Sequence, residues 1–308
     1  MPDVSPALPA DDAVPQEWRT WLLVPAVYAA WLLAVAACAT RGAMVGAIPL
    51  ILATCWFMSL QHELIHGHPS RSRRVNRLLG LAPLAVWYPY DLYRRSHLAH
   101  HRDELLTEPG IDPESNYIDH ATWQGLSRFV RPMWVAQRTV LGRLLLGPAM
   151  VIVPTWLDIV RRPLHGDFSQ SRSWALHLGL VAAMLFVLDR VAGIGPLRYL
   201  LTVGYPALGL AMLRSFYEHR PARDAAHRVV INEAGLFWRI LYLNNNYHAV
   251  HHERPDLPWH LVRRFYVDNR AEVLARNGGF VIAGYLSLLR RHAMTTIDSP
   301  VHPARADR

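Results

Sequence analysis

The chain contains no lysine: all 32 of its basic residues are arginine, set against 24 acidic ones. That one-sidedness reads as a coding bias and carries no function by itself. Cysteine is nearly absent, with Cys38 and Cys55 standing alone inside apolar runs. Two cysteines so placed exclude a disulfide framework, a zinc knuckle and a Cys-ligated iron–sulfur cluster. They read as small buried hydrophobes. Charge is scarce, at 18% of residues, while 52% are hydrophobic, more apolar than an ordinary soluble domain. Met1 to Glu17 holds Pro and Asp but no basic cluster, so the first apolar run is expected to remain as a span and not to be cleaved as a signal. No internal repeat or low-complexity tract stands out.

The net charge is +8, which invites a nucleic-acid reading. The arginines flank apolar runs instead of lining one polar face, so no nucleic-acid partner is expected. Trp21 to Ala39 and Gly42 to Gln61 are uncharged and long enough to cross a bilayer, joined at Arg41 and Gly42. Trp174 to Leu188 and Tyr199 to Leu213 supply a third and a fourth span, extended through the interface by Trp and Tyr. Leu78 to Tyr90 and Leu144 to Leu157 are too short to span and are expected as interfacial or re-entrant segments. The 308 residues therefore predict one all-α integral membrane domain of about four transmembrane helices. Flexible tails are expected over 1–17 and 293–308. Arg71, Arg73, Arg74, Arg77, Arg94, Arg95 and Arg102, continued by Arg128, Arg131, Arg138, Arg143, Arg161 and Arg162, crowd the connection between the second and third spans. The positive-inside rule puts that connection and both termini in the cytoplasm.

The 17 histidines are clustered. His62 and His66 lie in QHELIHGHPS, His97, His100 and His101 in RRSHLAHHRDE, and His248, His251 and His252 in NNNYHAVHHERP. Spacings of three and four put each set on one helix face, one turn apart. Eight imidazoles exceed the four ligands zinc usually takes. They suit two irons with room left for O₂. Soluble di-iron bundles use Glu and Glu-x-x-His instead, so this site would be His-dominated. All three clusters fall on the same predicted side of the membrane.

HELIH, HLAHH and HAVHH resemble the three histidine boxes of the membrane fatty acid desaturase family and its hydroxylase and ketolase relatives. The resemblance runs from roughly the first span to Pro258. It implies four spanning helices under a cytosolic helical cap, a di-iron centre, O₂ as co-substrate, and electrons from an external ferredoxin- or cytochrome-type carrier with its reductase. The ligands it implies are His62, His66, His97, His100, His101, His248, His251 and His252. His219, in RSFYEHR, closes the fourth run, where desaturases often carry a further ligand; the alternative is an interfacial histidine at a helix end. His68 falls outside the box spacing. His120, His165, His177, His227, His260, His292 and His302 are isolated and read as structural or surface residues.

Glu63, Asp103, Glu104, Glu218 and Glu253 accompany the boxes. Glu218 and Glu253 are candidates to accept the second N–H of ligating imidazoles. Asn244, Asn245 and Asn246 could orient His248. Asp112, Pro113, Glu114 and Asn116 form a polar turn without an assignable role. The expected activity is desaturation of a fatty acyl or lipid chain in a bacterial cytoplasmic membrane, with hydroxylation or ketolation as alternatives. The chain would reach the metals from the bilayer, in a tunnel lined by the Leu78–Tyr90 segment and the spans. HELIH also matches the H-E-x-x-H signature of zinc metalloproteases, with Glu63 as general base. That reading leaves the other two boxes unexplained. A His-lined metal transporter would place its site near the bilayer midplane, whereas these boxes sit at helix ends.

Overall fold

The computed structural model describes residues 17–101 and 105–303, without the side chains of Ala43 and Met44. The uncharged runs become the long helices. α1 (Trp18–Arg41) and α2 (Ala43–Ile65) pack as a hairpin about Gly42, whose φ of 86° is open to glycine but strained for other residues. After α3 (Arg73–Gly80) and α4 (Tyr90–His100) come the short α5 (His120–Gly125), α6 (Arg131–Ala136) and α7 (Val140–Leu145). α8 (Gly147–Leu164) and α9 (Ser171–Ala192) follow. Then α10 (Pro196–Tyr199) runs through a π turn, Leu200–Gly204, into α11 (Tyr205–Arg214).

Four stretches are long and apolar enough to cross a membrane: Trp18–Arg41, Val45–Ile65, Val140–Leu164 and Ser171–Ala192. The expected number is met, but its membership changes. Leu144 to Leu157 belongs to a helical run of 25 residues, because Arg143 and Asp158, which bound the apolar stretch, do not interrupt the helix. Tyr199 to Leu213 is not one continuous α-helix. Pro206 lacks an N–H, and its ring crowds the carbonyl four residues back, at Thr202 within the π turn.

Residues 81–89 are irregular yet largely buried, with Leu84, Ala85, Val86 and Trp87 in the core. Such backbone is tolerated in an apolar layer only where protein groups satisfy it. Gln61 Nε2 donates to Gly80 O (2.8 Å), Tyr199 Oη to Leu84 O (2.8 Å), His177 Nε2 to Val86 O (3.0 Å) and Trp156 Nε1 to Trp87 O (2.9 Å). Gly204 permits the approach: a Cβ there would stand 2.8 Å from Val86 Cγ2. His177 is thus structural, as its isolation suggests.

The remaining helices form a second layer: α12 (Leu236–Leu241), α13 (His248–Glu253), α14 (Trp259–Asp268), α15 (Arg270–Arg276) and α16 (Tyr285–His292). A two-residue parallel ladder, β1 (Ile231–Asn232) with β2 (Val281–Ile282), ties it together. Ile231, Tyr247, Val250, Val262, Phe265 and Tyr266 are part of its own core. In place of the loose tail expected from 293 onward, residues 293–303 form an anchored strap. Ile297 N donates to Arg138 O, Val301 bridges to Ile118, and Asp298 pairs with buried Arg138. Glu17 is also held, with Oε1 2.6 Å from His68 Nδ1; the rest of the expected N-terminal tail lies outside the described residues.

Candidate metal centre

Each box sits where a helix ends beside the bundle. His62 closes α2 and His66 caps it. His97 and His100 lie in the last turn of α4, with His101 as its cap. His248, His251 and His252 share the short α13. His219 follows a 3₁₀ turn, Ser215–Tyr217, after α11.

The nine histidines gather into two adjoining groups, His62, His66, His97, His101 and His251, and His100, His219, His248 and His252. Within each group the candidate ligand nitrogens all lie within 4.8 Å of one another. Nitrogens on opposite sides of one ion, each about 2.1 Å from it, would be about 4.2 Å apart, so small ring shifts suffice. The groups abut: the His101 and His252 rings stack with centroids 4.2 Å apart.

The inner nitrogens face one another. His97 Nε2 is 2.9 Å from His66 Nε2 and 3.1 Å from His101 Nε2; His251 Nε2 is 3.0 Å from His101 Nε2. His248 Nε2 is 3.1 Å from both His219 Nε2 and His252 Nε2. Two of the outer nitrogens are anchored by carboxylates. His97 Nδ1 donates to Glu114 Oε1 (3.1 Å) and His100 Nδ1 to Asp112 Oδ1 (2.8 Å). An ionised carboxylate only accepts, so the proton is on Nδ1 and Nε2 turns a lone pair inward. Inward lone pairs crowded at about 3 Å fit a bound cation. The donor set matches metals that favour imidazole, iron among them.

Burial and the neighbouring imidazoles favour the neutral, ligating form of His101, His219, His248, His251 and His252. His101 is pushed down to about 2 and His219 to about 3, and His248, His251 and His252 lie well below the ordinary histidine value. For Asp112, burial favours the protonated form. The bonds from His100 Nδ1, Thr107 N–H and Glu114 N–H outweigh it and lower its pKa.

Asp112 and Glu114, from the turn left without a role, prove to be carboxylates that accept from box imidazoles. The sequence hid this because they lie 12 and 17 residues from their partners. Asn245 joins two boxes: its Oδ1 is 3.1 Å from His248 Nδ1 and its Nδ2 3.2 Å from His62 Nε2. Glu218 Oε1 stands 3.8 Å from His248 Nδ1. Glu253, expected beside a ligand, instead pairs with Arg276. Glu63 accepts from Trp259 N–H and belongs to neither histidine group. Asp103 and Glu104 lie outside the described residues.

A cavity of about 690 Å³ reaches His62 and His219, large enough for a sizeable ligand. Its walls come mainly from α2, α4, α8 and α11; of the Leu78–Tyr90 segment, only Tyr88 contributes.

A family model described as fatty acid desaturase matches residues 39–283. No curated protein matches the chain significantly. The matched region contains all three boxes and His219, and it implies an oxidoreductase. With four helices apolar enough to span a bilayer and histidines grouped to hold metal, the chain belongs to the fatty acid desaturase family.

Proposed function

We propose that the protein is a membrane-bound, O₂-dependent di-iron oxidoreductase that introduces a double bond into a fatty acyl or lipid chain. One iron is held by His62, His66, His97, His101 and His251, and the other by His100, His219, His248 and His252. The observation that carries this reading is the convergence of nine imidazoles on two adjoining positions. When bound, the two irons supply reductive activation of O₂ for attack on an unactivated C–H bond. The chain's residues do the rest. Asp112 and Glu114 fix the tautomer and aim of His100 and His97. Asn245 holds His248 in register with His62. The cavity beside them positions a substrate carbon, and its buried walls, such as Leu208, Met212 and Tyr242, exclude water.

Electrons come from a separate ferredoxin- or cytochrome-type carrier with its reductase, since two lone cysteines cannot hold a cluster. An acidic carrier suits the Arg-rich connection. The arginine distribution supports an inner-membrane location with the boxes and both termini in the cytoplasm. Lipid profiling tests the reading in cells carrying the wild-type gene or the His251→Ala variant. New unsaturated lipid species should appear only with the wild type. An oxygenated product would reassign the reaction to hydroxylation or ketolation. An unchanged profile with iron-loaded protein and a functioning reductase would refute oxidation of cellular lipid.

A further inference from the structure

Among the arginines that line the cavity, Arg143 is buried without a carboxylate. It is 3% exposed, and none of the ion pairs found among the described residues includes it. Its guanidinium donates through Nη1 to Gln137 Oε1 (2.8 Å), through Nη2 to Asn116 Oδ1 (2.7 Å) and Ser215 Oγ (3.3 Å), and through Nε to Met212 O (3.4 Å). These acceptors are neutral, and one of the five N–H groups remains unused. The nearby carboxylates are engaged elsewhere: Glu218 with Arg214 at 3.3 Å, Glu114 with His97, Asp298 with Arg138. A buried charge without a counter-ion is strongly destabilising, and an ionisable residue inside an apolar helical run points to function. Arg214 lines the same wall, with its Nη1 3.3 Å from Glu218 Oε1.

The guanidinium also lies close to the histidines. Asn116 is two residues from Glu114, which bonds His97, and Ser215 is four residues from His219. Even fully extended, those links span only about 7 Å and about 14 Å.

We propose that Arg143 binds an anionic oxygen group of the substrate, a carboxylate or a phosphate. The substrate then lies polar end inward, and the oxidised carbon is close to that group instead of far along the chain. This rests on the cavity being the substrate site of the proposed metal centre. The fork of an arginine pairs two oxygens at once, and replacing its neutral partners by an anion would supply the missing counter-charge.

Isothermal titration of the full-length, iron-loaded protein in lipid nanodiscs tests this with three soluble probes: hexanoate, hexyl phosphate and hexan-1-ol. The wild type should bind at least one anion roughly tenfold or more tightly than the alcohol, and the better anion identifies the group. Asn116→Asp places a carboxylate on Arg143 with little change of shape. It should abolish the preference and raise the melting temperature. Arg143→Gln should also abolish the preference; if that variant does not fold, Asn116→Asp decides. Anion preference that is absent in the wild type, or retained in Asn116→Asp, overturns the inference. Iron content is measured on the same samples. Two irons without anion preference defeats this inference alone, whereas anion preference without iron defeats the metal reading alone.

Discussion

At the residue scale, the box histidines work through a division between their two ring nitrogens. The inner nitrogens converge, and for His97 and His100 the outer ones are fixed by Glu114 and Asp112. The histidines themselves were legible in the sequence because each set lies within one helical turn. Their carboxylate partners were not, because a loop's path decides which side chains it delivers. Asp112→Asn should keep the fold yet lower metal affinity by about 10–100-fold, measured by competitive metal titration; unchanged affinity would show that Asp112 does not hold His100 for the metal. A pH dependence follows from the neutral rings. In the metal-free protein, His219 takes a proton only near pH 3, whereas in an unfolded chain it does so near 6.5. Below about 6.5 the unfolded state therefore binds protons that the folded state refuses. Stability is complete above that pH and falls as pH drops toward 3, by about 1.4 kcal/mol per unit for each such histidine. His101, His248, His251 and His252 act in the same direction. His100 acts against them: burial lowers its pKa, but the Asp112 bond and nearby carboxylates raise it further. Denaturant titration of metal-free protein in detergent at pH 7 and pH 5 should show lower stability at pH 5.

At the element scale, hydropathy found the α1–α2 hairpin and α9 but misread α8 and the α10–α11 run. Counting apolar residues treats Arg143 and Asp158 as ends, whereas a helix continues wherever its charges can turn inward or toward a partner. It also cannot see a π turn, which Pro206 and the packing of residues 84–87 produce together. That packing needs Gly204. Gly204→Val should drive a methyl into Val86 and Trp87, destabilising the protein by about 1–3 kcal/mol, read as a lower melting temperature in detergent. The strap over 293–303 was equally invisible, since it is held by Arg138–Asp298 and a short backbone bridge far apart in sequence. Asp298→Ala leaves Arg138 buried and unpaired. The loss should fall below the ~3–5 kcal/mol of a fully buried pair, because Asp298 is partly exposed. Chemical denaturation should show it, and unchanged stability would mean that the strap is ornamental.

At the scale of the whole molecule, the layout joins a bundle of apolar helices to a second layer with its own core, and the histidines sit where the two meet. α2 and α4 bring the first two boxes from one side, and α13 brings the third from the other. The three-box pattern made this architecture readable through its resemblance to a family, while the two-position grouping needed the fold. On the proposed function, both positions are iron sites in one chain. Quantitative metal analysis of protein purified from iron-replete cells, with Mössbauer spectroscopy on the same sample, tests it most directly. Two irons per chain in His-rich coordination are expected, falling to one or none in His100→Ala and in His251→Ala. One zinc per chain, or two irons undiminished in both variants, would contradict it.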